Sequence, residues 1–375
     1  MKKKIFTKPD LLIVGAGPVG CVIAERAAKI KNWNSIIIDK RNHIAGNCFD
    51  KTNKKGIRIH QYGPHYMRFK KKRIFNYVSN FTKWIKGNYI VKSNINGKLY
   101  PIPINLTTLE KFFNRKFNGP KDAKKFLKKI RIKKKVINNC EDYILSKLGK
   151  DIYENFYKNY TIKQWGIHPK FLDKSIVGRL PIRFNRDPYY VNQKIKVMPK
   201  HGYTKLFFNM INNPKININL KTSYEKIKNK VKPKIATIYT GPPDLFFKFK
   251  YGRLDWRSLK FKFKTLRKKK IQECVQINFP NEQKYTRKVE IKHVTKQKSK
   301  YSTLSYEFPK SKGDPYYPIN NKKNRDRFNK YKKLIKKAEK NNIFFEGRLA
   351  TYRYLNMDEV IEKALILFDK LKRRY

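Results

Sequence analysis

Acidic residues are scarce: 27 Asp and Glu stand against 91 Lys and Arg, a formal net charge of +64 over 375 residues. Such a surface attracts polyanions, whether nucleic acid, anionic lipid or nucleotide substrates. The chain is also rich in Asn, Ile, Tyr and Phe, as AT-biased coding produces, although that bias does not account for the missing acids. Most of the lysines read as a solvated surface that drift has made basic, and incidental nucleic-acid binding at low salt follows in either case. Cysteine is nearly as sparse. Cys21, Cys48, Cys140 and Cys274 lie far apart with no C-x-x-C pair, which excludes a zinc site or a disulfide framework; no metal is expected, and a reduced, cytoplasmic setting fits. No apolar run approaches the roughly 20 residues needed to cross a bilayer, and Met1 to Pro9 carries no signal segment or cleavage site. What is present, 40% apolar and 14% aromatic residues, is the composition of a globular chain.

Asp10 to Val14 (DLLIV) is continuous enough in apolar residues for a buried parallel strand. A glycine turn, Gly15-Ala16-Gly17-Pro18-Val19-Gly20, follows, then a helical pattern, then a second buried strand, Ser35 to Ile38, ending on Asp39. Residues 105–175 read as mostly helical, and 176–200, rich in Pro, Asn and aromatics, as irregular or lid-like. YTKLFFNMI reads as a helix, and 216–222 and 234–239 as strands. Alternating segments over 251–310 point to an antiparallel sheet. RDRFNKYKKLIKKAEK is a basic helix, IFFEG a strand and MDEVIEKALILFDKLK a terminal amphipathic helix. The tract at 124–135 reads as a solvated helix face or loop. Strands at 10–14, 35–39, 235–239 and 343–346 would share one nucleotide-binding domain. The fold class is therefore α/β: a discontinuous Rossmann-like nucleotide-binding domain (1–80, 196–245 and 335–375) with a helical-bundle insert (105–175) and an antiparallel β-sheet insert with a mobile segment (81–104, 176–195 and 246–334).

A strand, a G-x-G-x-x-G turn, a helix and an acid ending the next strand form the context a dinucleotide site requires. Gly15 makes the tight turn, Gly17 lets the backbone approach the pyrophosphate, and Gly20 lets helix and strand pack closely. With Pro18 and Val19 they open a helix whose N–H groups and dipole favour a diphosphate. Asp39 would accept hydrogen bonds from the ribose. The basic, amide-bearing loop that follows, through Lys40, Gly46 and Asn47, suits a second approach to the diphosphate and favours FAD.

RNHIAGN (41–47), IHQYGPH (59–65), NYTIKQWG (159–166), RLPIRF (179–184), YTGPPD (239–244), DPYYP (314–318) and GRLATYRY (347–354) resemble, in order, segments of the UDP-galactopyranose mutase family. The resemblance runs from about residue 9 to 370. It implies an intramolecular transferase or isomerase that interconverts UDP-galactopyranose and UDP-galactofuranose on reduced FAD, with flavin N5 as nucleophile at the anomeric carbon, supplying furanose for surface polysaccharide.

By the same resemblance Tyr160, Thr161, Trp165 and Phe156 hold the uridine, where aromatic faces suit a nucleobase. Arg183 and Arg287 clamp the diphosphate, with Tyr316, Tyr317 and Tyr354 as phenol donors. His65 lies against the flavin, supported by His60. Arg348 is a cation near the reduced ring, and Glu307 an acid near the sugar. Four positions depart from the family. Arg68 stands for a histidine, His201 for a glycine beside the flavin, Asn356, still expected at the substrate, for an aspartate, and Ile195 for a phosphate-binding tyrosine. The bulk of His201 is expected to crowd the ring unless the loop shifts. These departures motivate two other readings: a mutase for a related UDP-sugar, or a degenerate non-catalytic homologue with a polyanion-binding surface. The expected partner is a UDP-sugar; a homodimer is left open.

Overall fold

The structure, a computed structural model, describes residues 8–178 and 180–375. Most of the Met1 to Pro9 segment and Arg179 of the RLPIRF segment lie outside the described residues. Five short strands form one parallel sheet in the order Ile216–Asn219, Ser35–Ile38, Leu11–Val14, Ala236–Tyr239, Ile343–Phe345. Leu11, Leu12 and Ile13 are at most 1% exposed, which explains a strand with no polar alternation: both its faces are covered. The helices Pro18–Lys31, Tyr203–Ile211 and Met357–Arg374 pack together beside the sheet. The four strands expected to share a sheet do so. Ile216–Asn219, a strand expected within the same domain (196–245), forms the sheet's edge.

Because all five strands point the same way, their C-terminal ends meet along one rim. There the chain passes into the glycine turn after Val14, the Asp39–Asn47 loop after Ile38, Thr240-Gly241 after Tyr239 and Glu346-Gly347-Arg348 after Phe345. A crevice at such a rim is where open α/β sheets bind ligands.

The second sheet has seven strands: Tyr317–Pro318, Trp256–Leu266, Ser302–Lys310, Arg287–Val289, Gln276–Asn278, Val91–Ile95 and Lys98–Ile102. It departs from the expected pattern at one seam, where Gln276–Asn278 pairs in parallel with Val91–Ile95. These strands are about 180 residues apart in the chain, so no hairpin sets their relative direction. Alternation along the strands puts Ser93, Gln276, Asn278 and Arg287 on the wall of a large cavity. Lys92, Ile277, Lys288, Tyr306 and Lys262, paired in register, form a row on the other face.

The helical part contains Leu106–Phe113, Pro120–Ile130 and Cys140–Ile152. Asn105 and Asn139 start two of these helices, their side chains accepting from the N–H of Thr108 and Asp142. Lys124, Lys125, Lys128 and Lys129 are exposed around buried Ala123 and Leu127, so the lysine-rich tract is a solvated helix face that runs on into a loop. The last helix breaks at Gly149 (φ 82°), runs through a π-helical turn, Tyr153–Lys158, and continues as Asn159–Trp165. Widened turns of this kind are frequent at functional sites; this one delivers Phe156, Tyr160 and Trp165 to the cavity. Among the described residues no helix is long and apolar enough to cross a membrane, and no cluster of His, Cys, Asp and Glu is arranged to hold a metal.

Candidate active site

The glycine turn is a backbone cradle. A Cβ on Gly15 would fall 2.0 Å from Thr240 Oγ1, and one on Gly20 would fall 2.1 Å from the Gly15 carbonyl oxygen. A Cβ on Gly17 would meet only the Gly46 Cα, at 3.8 Å, so space remains beside it. The helix that begins at Pro18 has no side-chain cap and no acid in its first turn, which leaves its N–H groups and dipole for an anion. Asp39 organises this corner: Oδ2 accepts from Ala16 N–H and Oδ1 from Arg41 N–H, each at 2.9 Å. Ala45, at φ 70°, turns its N–H back onto the Ala16 carbonyl at 2.7 Å, bringing Gly46 against Gly17. Two backbone loops thus converge beside the uncapped helix N-terminus, and the residues fit FAD. Lys40 is exposed at this corner and paired with Asp314.

A cavity of about 1350 Å³, bounded by the second sheet and by the Asn159–Trp165 helix, reaches this corner at Asn47. His65 and Arg348 line the side nearer the parallel sheet, with Asn47. Gly347 fits against Val19, since a Cβ there would lie 3.2 Å from the valine, and this places Arg348 beside the first helix. The Arg348 guanidinium lies 4.8 Å over the Tyr354 ring and donates to the Leu355 carbonyl at 2.7 Å. His65 Nδ1 lies 2.9 Å from the Gly63 carbonyl, and donating there makes Nε2 the unprotonated nitrogen of a neutral ring. His60 sits behind it, its Nδ1 accepting from His65 N–H at 3.0 Å.

Burial holds both imidazoles down, to about 3, with Arg58 acting on His60 and with His60 and Arg348 acting on His65. Both folded values lie below the ordinary 6.5, so the unfolded chain binds more protons from pH 6.5 down to 3. Stability from this source is fully present above pH 6.5 and falls on acidification at about 1.4 kcal/mol per pH unit per proton. Melting temperature followed from pH 7 to 5 is expected to fall, and His60→Gln to remove about one proton from the slope. An unchanged slope in that variant would rule out His60 as a source.

Continuing from Tyr354 around the cavity, Trp165 (6% exposed), Tyr317 and Tyr354 form an aromatic run, with centroid distances of 5.8 Å and 5.7 Å and the last pair stacked. Tyr316 and Tyr317 both line the cavity, as do Tyr160, Thr161 and Asn356. Phe156 also reaches it, although packing on Tyr100 and Phe112 makes it largely a core residue. Arg287 pairs with buried Glu307, Nη2 at 2.6 Å and Nε at 2.9 Å from Oε1. Burial is the largest single influence and works against its charge, but Glu307, with smaller contributions from Tyr160, Tyr317 and Tyr190, more than offsets it and holds the guanidinium in its charged form.

Arg183 is not brought into the cavity. Buried at the rim of a separate, shallower pocket, it donates to the Tyr189 carbonyl and the Asn192 side chain and so holds the 187–192 segment. His201 corrects another expectation: it is exposed and does not line the cavity, so nothing is crowded. The tight place falls to Gly202 (φ 88°), where a Cβ would lie 2.3 Å from Asp50 Oδ2. Asp50 in turn accepts from Tyr203 N–H and Thr204 N–H at the start of the Tyr203–Ile211 helix. Ile195 pairs with Phe69 away from the cavity, and Tyr190 supplies a phenol there instead. Arg68 and Asn356 meet at 2.6 Å on the wall, and Asn356 also caps the terminal helix. Tyr190, Tyr62 and Gln164 line the site in addition to the residues that the resemblance implies. The last two stand inside IHQYGPH and KQWG, so the motifs flag their segments but not their orientation.

Residues 155–354 match the family model for UDP-galactopyranose mutase, and residues 13–81 the model for an NAD(P)-binding Rossmann-like domain. A probable UDP-galactopyranose mutase of Klebsiella pneumoniae is 36% identical over 96% of this chain and 94% of its own length. A dTDP-fucopyranose mutase of Escherichia coli is 35% identical over 95% and 96%. A crystal structure of reduced UDP-galactopyranose mutase superposes with a TM-score of 0.76 at 15% identity, covering 98% of this chain and 96% of that one, and shows the same fold. An α/β chain with a Rossmann-type flavoprotein unit, matched to one isomerase family along nearly its whole length, belongs to the UDP-galactopyranose mutase family.

Proposed function

We propose that this enzyme interconverts UDP-galactopyranose and UDP-galactofuranose, with FAD as its cofactor. One observation carries the reading: a single cavity joins a flavin-side wall, His65 and Arg348, to an aromatic and cationic wall, Trp165, Tyr317 and Arg287. Bound in reduced form, the flavin supplies the nucleophile for the anomeric carbon. The protein's part is binding and electrostatics. Trp165 and Tyr160 take the uracil between apolar faces. Arg287, held by Glu307, presents a charged fork to the diphosphate and stabilises the negative charge that develops on departing UDP. The phenols of Tyr316, Tyr317 and Tyr354 donate to the same oxygens. Arg183 is the second arm of the clamp and would exchange Tyr189 and Asn192 for phosphate on substrate binding. Neutral His65 packs on the flavin side, and the Arg348 cation favours the anionic reduced ring.

The direct test reduces the purified protein with dithionite and chromatographs UDP-galactofuranose after incubation; a yellow protein with no conversion, beside an active control, overturns the proposal. Trp165→Ala is expected to raise KM about tenfold or more, by loss of stacking worth ~1–3 kcal/mol, while flavin stays bound. Loss of flavin in that variant would mean the helix is structural. A second reading, a mutase for a related nucleotide sugar, is favoured by the Arg68–Asn356 pair on the cavity wall and by the similarity to the dTDP-fucopyranose enzyme. It predicts faster turnover of an N-acetylated or deoxy sugar nucleotide than of UDP-galactose in the same assay.

A further inference from the structure

The loop after the second parallel strand and the loop carrying Tyr316 and Tyr317 are separated by about 270 residues of chain, yet they are tied together. Asp314 Oδ2 lies 3.2 Å from Arg41 Nη2 and Oδ1 3.2 Å from Lys40 Nζ. Arg41 is itself fixed on three further sides. Its backbone N–H donates to Asp39, its Nη1 donates to Asn47 Oδ1 at 2.8 Å, and its guanidinium lies 4.4 Å over the Tyr62 ring. Tyr62 is held by His43 Nε2 at 2.6 Å, and its ring centroid lies 6.3 Å from that of Tyr316. On the other side Gly313 (φ 125°) leaves no room for a side chain, because a Cβ would fall 2.5 Å from Ser258 Oγ. The Asp314 loop is therefore seated on the second sheet at one end and clasped to the cofactor corner at the other.

We propose that Asp314 is a positioning residue whose clasp on Arg41 and Lys40 couples the cofactor corner to the tyrosines of the substrate wall. It is not among the residues that line the cavity. Asp39 orders the glycine turn and the Arg41 backbone with one carboxylate, Arg41 orders Asn47 and Tyr62, and Asp314 carries that order to Tyr316 and Tyr317. The two cations also keep its carboxyl ionised against the cost of partial burial. An exposed ion pair alone contributes little; this one links two loops that are each fixed elsewhere, so breaking it uncouples them. The inference rests on the proposed placement of the substrate at Tyr316 and Tyr317.

Two readouts on the holoenzyme test it: the rate of flavin release, followed by the rise in flavin fluorescence, and UDP affinity, followed by Trp fluorescence. Asp314→Asn is expected to speed flavin release and to weaken UDP binding, each about fivefold, the scale of one such pair. It should raise KM more than it lowers kcat, and Asp314→Glu should restore most of the loss. In a double-mutant cycle with Arg41→Gln the two effects on flavin release should be less than additive. Additive effects in the cycle, or flavin release unchanged by Asp314→Asn, would overturn the clasp. If the parent holoenzyme binds no UDP, the proposed function falls instead, and the flavin-release cycle still decides the clasp.

Discussion

Arg287→Ala is expected to cost both turnover and stability, and the two losses are separable. The guanidinium lies on the cavity wall, so its removal takes away the charge aimed at the departing diphosphate; kcat/KM is expected to fall 10²–10³-fold, the scale of one preorganised donor. The same substitution leaves Glu307, 1% exposed, without the cation that compensates its charge. Breaking a buried pair from one side costs about 3–5 kcal/mol. Arg287→Ala with Glu307→Gln removes the uncompensated charge and should recover much of the melting temperature but none of the activity. Arg287→Lys keeps a charge without the two-pronged geometry and should fall between. An Arg287→Ala enzyme that turned over at the parent rate would remove Arg287 from the clamp.

Gly17→Ala and Gly20→Ala should fail in different ways, although both are single methyl additions in one turn. At Gly20 the Cβ would collide with the Gly15 carbonyl at 2.1 Å and press on Ile13 at 3.0 Å, and backbone does not yield as a flexible side chain does. The helix has to move off the strand, so overpacking of the kind that costs about 1–3 kcal/mol elsewhere is a lower bound, and the protein is expected to melt early or accumulate as inclusion bodies. At Gly17 the Cβ has room in the protein and would stand where the proposed binding mode brings the pyrophosphate. That variant is expected to fold normally and purify colourless. A yellow Gly17→Ala protein with the parent flavin content would place the dinucleotide elsewhere.

The contrast between these glycines shows what local sequence carries. A strand buried on both faces, a turn that needs positive φ at Gly15, a helix packed through Gly20 and an acid ending the next strand are neighbours in the chain, so the cofactor corner is legible from residue order alone. The helices are legible for the same reason, since apolar spacing and asparagine caps act within a few residues. Segments that resemble the family's, such as KQWG and DPYYP, also lie on stretches that meet, with the Trp165 and Tyr317 rings 5.8 Å apart.

Orientation is another matter. Arg183 stands in the expected motif yet turns its guanidinium to Tyr189 and Asn192. His201 occupies a flavin-side position in the chain and points to solvent, while Tyr190, five residues before Ile195, supplies a phenol to the cavity. The partners of Arg183 are only six and nine residues away, so even a short separation leaves the direction of a side chain open until its segment is folded.

By itself, then, the sequence determined the parallel FAD-binding unit, the family and the segments of the site, because these rest on residue types at short separations. Only the tertiary structure decided which side chains of those segments share one cavity, that Gln276–Asn278 pairs in parallel with Val91–Ile95, and that Asp314 closes on Arg41. Those are contacts between segments about 180 and 270 residues apart, set by how the sheets pack and not by the chain that connects them.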